Sequence, residues 1–396
     1  MTGPTLAYCS NIHPADGLGA VTRALVGVGG EVRRHVAPRG RLAIGLRLSD
    51  AEAREFEAPG ALRRFSDAVA GAGLRVACLN GFPFGAFHGG RVKEGVHRPD
   101  WRDEQRVAYT ERLGSILARL LPEGAAGGVS TSPLSYAPWG APSPGDLGSM
   151  TRNIARVAAR FARLRDQAGR TVHLDVEPEP DGLIETVAGF ARWFERDLAP
   201  VARSVGLSGA ALRRHVRLCL DACHLAVMFE PVAEALGALE RVGARVGRVQ
   251  ASSAIQAQIP GAESGRDSVR AALAPFAEST YLHQTVGATD GRIVERWPDL
   301  PDALASIGSA RARSWRVHYH VPIFWSGAGV VATTQPELEA VVGAVLARTD
   351  CRLFEIETYT WSVLPADLRL ELAASIAREL AWLEGVIGAV SPGASG

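Results

Sequence analysis

Residues 171–179, Thr171-Val172-His173-Leu174-Asp175-Val176-Glu177-Pro178-Glu179, form a short apolar run that closes on alternating acids. A run of this length, bounded by proline and led by β-branched residues, reads as a strand. Strand side chains alternate, so Asp175, Glu177 and Glu179 share one face. The pattern recurs downstream. Residues 216–224 end in Leu220-Asp221-Ala222-Cys223-His224, and residues 352–359 end in Phe354-Glu355-Ile356-Glu357-Thr358-Tyr359. Carboxylates at the ends of apolar strands are costly to bury unless they are paired or hold a metal.

Working outward, similar runs at Leu6–Asn11, Leu42–Arg47, Leu74–Asn80, Gly128–Pro133 and Val246–Ser252 complete a set of eight strand candidates. The segments between them are amphipathic at helical spacing, as in Trp101–Leu121 and Ser149–Gln167. Ser49 and Asp50 predict a helix N-cap. Eight strand–helix units without a change in composition predict an α/β fold, a single (β/α)8 barrel over residues 1–390, closed by a helix over 367–387. Residues 391–396 read as a disordered tail. The G-x-G-x-x-G fingerprint of a dinucleotide fold is absent after the first strand. Two excursions interrupt the pattern, at Gly81–Asp100 and Ala254–Thr333. The second carries strand-like pieces at Thr280–Val286 and Arg316–Ile323. It is expected to act as a lid or hairpin over the barrel mouth, or as the interface of a homodimer.

Hydrophobic residues make up 47% and charged residues 21% of the 396, the balance of a globular protein with a large core. Net charge is +1 with no basic block, so neither nucleic acid nor a membrane surface is expected as a partner. The first residues lack the pattern of a secretory signal, and no apolar stretch is long enough for a membrane span. A cytoplasmic location is expected, with Cys9, Cys78, Cys219, Cys223 and Cys351 as reduced core thiols. Lys93 is the only lysine, in a chain whose surface cations are otherwise arginines.

Reactive groups of such a barrel sit at the C-terminal strand ends. Two rows of acids aimed at one mouth would repel each other, and a divalent cation is the simplest way to hold them. Carboxylate and imidazole donors suit Mn²⁺, Fe²⁺, Co²⁺ or Zn²⁺ better than Ca²⁺. The expected metal ligands are Glu177, Asp221 and Glu357, with His318, His320 or Gln250 completing the set. Glu177 and Glu357 are the expected proton-transfer groups, and His224 is expected to orient the substrate. Asn11, His13, Arg47, Asn80, His88, Lys93, Glu179, His283 and Tyr359 are candidate substrate contacts. The plainer alternative pairs each acid with an arginine.

Glu177-Pro178, Asp221-x-x-His224 and Glu357 resemble the metal-site pattern of the xylose-isomerase-like barrels, and His318-Tyr319-His320-Val321-Pro322-Ile323 is similar to a segment after their seventh strand. Across the chain, Tyr8–Pro14, Asn80–Gly85, Arg91–Glu94, Arg98–Asp103, His318–Pro322 and Glu355–Trp361 resemble the EboE family of metabolite traffic proteins. That resemblance implies a pathway that also holds a prenyltransferase and a sugar-phosphate-cyclase-like enzyme, and so a sugar- or cyclitol-like small molecule. One departure stands out: the seventh strand offers Gln250 where those barrels usually supply a histidine.

The leading expectation is a metal-dependent isomerase or epimerase of a sugar- or cyclitol-like metabolite, phosphorylated or not. A non-catalytic metabolite-binding protein on the same barrel, and a metal-dependent phosphoester hydrolase, are the alternatives. Near-neutral charge disfavours DNA for the latter, because phosphate contacts need clustered lysines and arginines.

Overall fold

Each apolar run read from the sequence becomes a barrel strand in the computed structural model, which describes residues 3–85, 93–278, 281–361 and 368–390. Strands β1 (Thr5–Cys9), β2 (Leu42–Arg47), β3 (Leu74–Asn80), β4 (Ala126–Thr131), β5 (Thr171–Val176), β6 (Val216–Asp221), β7 (Val246–Ala251) and β14 (Leu353–Ile356) are all parallel. They close in the order β1-β14-β7-β6-β5-β4-β3-β2. The protein is a (β/α)8 barrel. Strand β4 starts two residues earlier than expected, because Ala126 and Gly127 pair with Thr171 and Val172 of β5 despite their low strand propensity.

The covering helices start where local chemistry directs. Ser49 forms a reciprocal capping box with Glu52, as its position predicts. Ser143 does the same with Asp146, which starts the helix Pro144–Ala168 five residues before the expected Ser149. Proline at the first helical position explains the earlier start. Among the described residues, seventy buried ones form one continuous apolar core, including Phe161, Phe190 and Phe354. Among the described residues, no helix is long and apolar enough to cross a membrane. All five cysteines are buried and free.

The second excursion is more than a hairpin. It builds a six-stranded sheet from β8 (Ser253–Gln258), β9 (Thr285–Thr289), β10 (Arg292–Trp297), β11 (Ser314–Val321), β12 (Gly327–Ala328) and β13 (Val331–Thr333). The order is β10-β9-β11-β8-β13-β12, with antiparallel pairs. Asp290-Gly291, both at positive φ (51° and 76°), make the tight turn between β9 and β10. A separate apolar cluster around Ile255, Leu273, Leu300 and Trp315 supports the sheet. Only Ser252 separates β7 from β8, so the inserted sheet grows directly out of a barrel strand. Glu379, on the last helix (Leu372–Val390), is buried behind the junction. It accepts hydrogen bonds from the Ile323 N–H (2.9 Å) and the Thr358 hydroxyl (2.7 Å), and burial pushes its carboxyl up to about 8.

The barrel interior is charged. Arg248 of β7, fully buried, donates to Glu355 Oε2 (2.8 Å), Asn80 Oδ1 (3.1 Å) and the Leu79 carbonyl (2.7 Å), and lies 3.4 Å from Asp175 Oδ2. Asp175 also meets His173 Nδ1 at 2.5 Å. Glycines make room for these groups. A Cβ on Gly128 would lie 1.8 Å from Asp175 Oδ2, and one on Gly45 would lie 1.5 Å from Glu355 Oε1.

Candidate active site

Glu177 and Glu357 stand one strand alternation above Asp175 and Glu355, just past the ends of β5 and β14. Backbone bonds fix both: the Glu177 N–H donates to Thr131 O (3.0 Å), and the Glu357 N–H to Ala251 O (3.3 Å). Asp221 ends β6 and caps the following helix, its Oδ1 accepting from the His224 N–H (2.9 Å) and the Ser252 hydroxyl (2.8 Å). One donor atom from each of Glu177, Asp221 and Glu357 lies within 4.8 Å of the other two. Asn11 donates to Glu357 Oε1 (3.1 Å), but Glu357 Oε2 and Asp221 Oδ2 are buried with no hydrogen-bond partner. Burial, then repulsion from neighbouring acids (chiefly Asp221 for Glu177, and Glu177 for Glu357), holds the Glu177 and Glu357 carboxyls well above the usual range.

Three imidazoles face these acids. The His224 Nδ1–H donates to Pro178 O (3.0 Å) and the His320 Nδ1–H to Glu357 O (2.8 Å). His318 Nδ1 donates to Gln284 Oε1 (2.8 Å), an orientation set by the Gln284 amide nitrogen donating to Pro180 O. Each ring is thus held through Nδ1, the arrangement in which an outer oxygen orients a metal-ligating histidine. His224 Nε2 and His318 Nε2 lie 3.0 Å apart. Burial, then repulsion from neighbouring histidines, keeps both rings neutral well below the ordinary histidine range. Both histidines of the inserted sheet come from β11.

A cavity of about 660 Å³, counted out to its open mouth, lies over this cluster. Glu177, Glu179, His224, His318, His320 and Glu357 form its polar side; Phe82, Val96, Leu282 and Tyr359 form an apolar wall. Tyr359 stacks on His320 at 5.2 Å between ring centroids. Lys93 lines the cavity but is ion-paired with Asp299.

Other candidates fall elsewhere. Asn80 belongs to the Arg248 layer, bonded to Glu355 Oε1 at 2.6 Å. Arg47 is buried against Glu52 and the Gly85 carbonyl, and His13 lies against the Tyr8 hydroxyl at 3.2 Å. His283 meets the His318 carbonyl (3.0 Å) and Glu278 (2.8 Å), while its neighbours Leu282 and Gln284 line the cavity. The Gln250 amide oxygen accepts from the Cys219 thiol at 3.0 Å. His88 lies outside the described residues. Sequence reading passed over His97, which is buried in the cavity wall, stacked on Tyr136 at 4.6 Å, with Nδ1 3.4 Å from Glu179 Oε1. Burial holds its ring neutral, with a pKa lowered to about 3. Nothing in the irregular first excursion sets it apart, because no strand or helix period aims its residues.

The class these features define is a (β/α)8 barrel with a carboxylate–imidazole donor cluster at its C-terminal mouth. No family model matches the chain, and no curated protein sequence does. Solved structures repeat the fold. An L-ribulose 3-epimerase superposes with a TM-score of 0.51 at 11% identity, covering 99% of this chain and 96% of that one. A xylose isomerase domain protein from Planctomyces limnophilus gives 0.51 at 13% identity, covering 98% of each chain. A D-tagatose 3-epimerase-like protein gives 0.50 at 9% identity, again covering 98% of each. The chain shares the (β/α)8 fold of these structures.

Proposed function

We propose that the protein is a divalent-cation-dependent isomerase or epimerase of a sugar- or cyclitol-like metabolite. The observation that carries this reading is the pairing of buried, cation-free acids with unprotonated imidazoles under one cavity. Two orphaned carboxylate oxygens, on Asp221 and Glu357, and three ring nitrogens aimed inward form a donor set that fits Mn²⁺, Fe²⁺, Co²⁺ or Zn²⁺. Glu177, Asp221 and Glu357 would hold the ion with a histidine of the cluster. A bound cation would supply Lewis-acid polarisation of a substrate carbonyl.

The protein's own groups do the rest. Glu177 and Glu357 approach the cavity from β5 and β14, which are separated in the barrel by β7 and β6. From those positions one carboxylate takes a proton from the carbon next to the carbonyl, and the other returns one. His224 Nε2 orients a substrate hydroxyl, and the wall formed by Phe82 and Tyr359 excludes water. The motifs shared with the EboE family support a place in small-molecule biosynthesis and traffic.

The test is solvent exchange. The protein, loaded in turn with Mn²⁺, Co²⁺ or Zn²⁺, is incubated in D₂O with keto-hexoses, their phosphates and keto-cyclitols, and carbon-bound deuterium is read by NMR. Deuterium should enter next to the carbonyl of at least one class, and Glu177→Gln and Glu357→Gln should each suppress it at least about a hundredfold, as expected for loss of an acid–base group. No exchange with any ion and any of these ligands would sink the reading.

A further inference from the structure

A further pair of polar groups lies in the cavity wall, outside the proton-transfer roles assigned above. His97, from the first excursion, and Glu179, two residues past Glu177, both line the cavity and are only 1% and 6% exposed. His97 Nδ1 and Glu179 Oε1 lie 3.4 Å apart, and neither atom makes a hydrogen bond. Among the described residues, neither side chain belongs to a donor group that could hold a metal ion. Leaving two buried polar atoms unmatched is costly. The surroundings nevertheless hold them side by side. The His97 ring stacks on Tyr136 and meets Phe82 at 5.4 Å and Trp139 at 6.2 Å between ring centroids. Glu179 sits in a backbone turn, its carbonyl accepting from the Gly182 N–H (3.0 Å) and its N–H donating to Ile184 O (3.3 Å).

We propose that His97 and Glu179 together read one free hydroxyl of the substrate, on a carbon away from those that exchange protons. The inference rests on the isomerase reading of this cavity. It narrows the substrate to a keto-sugar or keto-cyclitol that is hydroxylated, and not phosphorylated, at that carbon.

A hydroxyl matches the pair in valence, because it gives one proton and accepts another. Burial keeps the His97 ring neutral, so Nδ1 offers either a proton or a lone pair. The carboxyl group opposite supplies the complement, whichever of the two carries the proton. A hydroxyl oxygen about 2.8 Å from each atom bridges the 3.4 Å between them with ordinary hydrogen-bond lengths. A phosphate fits this point poorly, since phosphate sites supply cations or clustered backbone N–H groups. Among the described residues lining the cavity, the one lysine or arginine is Lys93, which is already paired with Asp299.

The experiment is a calorimetric titration of the full-length, Mn²⁺-loaded protein. The probes are D-fructose, a keto-inositol, and the monodeoxy and monophosphate forms of each. For at least one parent, a single position away from the carbonyl should stand out. Its deoxy and phosphate forms should bind at least about tenfold more weakly, because the buried pair is then left unmatched. His97→Phe keeps a ring against Tyr136 and should erase that difference, as should Glu179→Ala. The unfolding temperature of unliganded H97F should not fall, since Nδ1 has no bond to lose. If H97F instead weakens parent and deoxy forms alike and unfolds at lower temperature, His97 is structural and the inference is overturned. A parent-to-deoxy ratio unchanged in both variants overturns it too, and leaves the isomerase reading standing. Failure of every probe to bind also overturns it. Hydroxyl-dependent binding that H97F abolishes, without deuterium exchange into any probe, upholds the hydroxyl site and removes the isomerase reading.

Discussion

Two layers of carboxylates stand one alternation apart in this barrel, and they are neutralised differently. In the lower layer Asp175 and Glu355 share Arg248, with Asn80 and two backbone carbonyls completing the guanidinium's bonds. In the upper layer Glu177, Asp221 and Glu357 meet imidazoles at 3.9 Å or more, an asparagine, the Ser252 hydroxyl and the His224 N–H; among the described residues no lysine or arginine pairs with them. The lower layer has its cation built into the sequence, and glycines at 45, 128 and 247 leave space for its carboxylates. The upper layer leaves carboxylate oxygens unpartnered beside the cavity. The first is neutralised from within the chain and the second is not, although the same strands supply both.

The largest expected effect breaks the lower layer. Arg248→Met strands two buried acids, and removing one partner of a buried ion pair costs about 3–5 kcal/mol. Urea unfolding should show a loss of that size; a loss below ~1 kcal/mol would mean that the layer is not held by charge. Gly128→Ala should be next. Its new methyl group must displace Asp175 from Arg248, at a cost of about 1–3 kcal/mol. The same substitution at exposed Gly388, which meets nothing within 4 Å, is the control.

The proposed cation site of the upper layer is tested by adding a divalent ion. A divalent cation at a hundredfold excess over its dissociation constant should raise unfolding free energy by about 2.7 kcal/mol, and E177Q/E357Q should lose that gain. The gain should grow as pH rises from 5.5 to 8. The raised carboxyls of Glu177 and Glu357 hold protons that the cation must displace, so higher pH favours binding. A gain independent of pH would place the ion elsewhere.

The smallest effect concerns Glu379, whose folded pKa of about 8 lies above its unfolded value near 4.3. Its contribution is fully present below the unfolded value and fades as pH rises through 8. Glu379→Gln keeps both accepted bonds and should flatten the decline in stability between pH 6 and 9, by on the order of 1 kcal/mol.

Much of the barrel was legible because its strands are short apolar runs with period-two endings, a pattern that local sterics enforce. The acids Glu177, Asp221 and Glu357 were legible for the same reason, since a charge closing such a run has few places to go. The division of labour between Glu355 and Glu357 was not. Alternation puts both on one face, and only Arg248, on a different strand, decides which is neutralised. That arginine interrupts the apolar run Val246–Ala251 two residues before Gln250, so its signal was present. The inserted sheet hid more. Its strands pair across long separations, and neither the β8–β11 register nor the turn of His318 toward His224 follows from local pattern. Gln250 accepts from Cys219 on the neighbouring strand, a partner that no local pattern specifies.

The route of the chain through β7, β8, β11 and β14 also has a consequence for the nascent protein. Glu177 leaves the ribosome first, Asp221 and His224 follow, the imidazoles of β11 come after most of the inserted sheet, and Glu357 arrives only with the strand that closes the barrel. No partial chain carries the complete set of donors, so a growing polypeptide cannot trap a cation prematurely in a competent site. The donor set is thereby complete only once the barrel has shut.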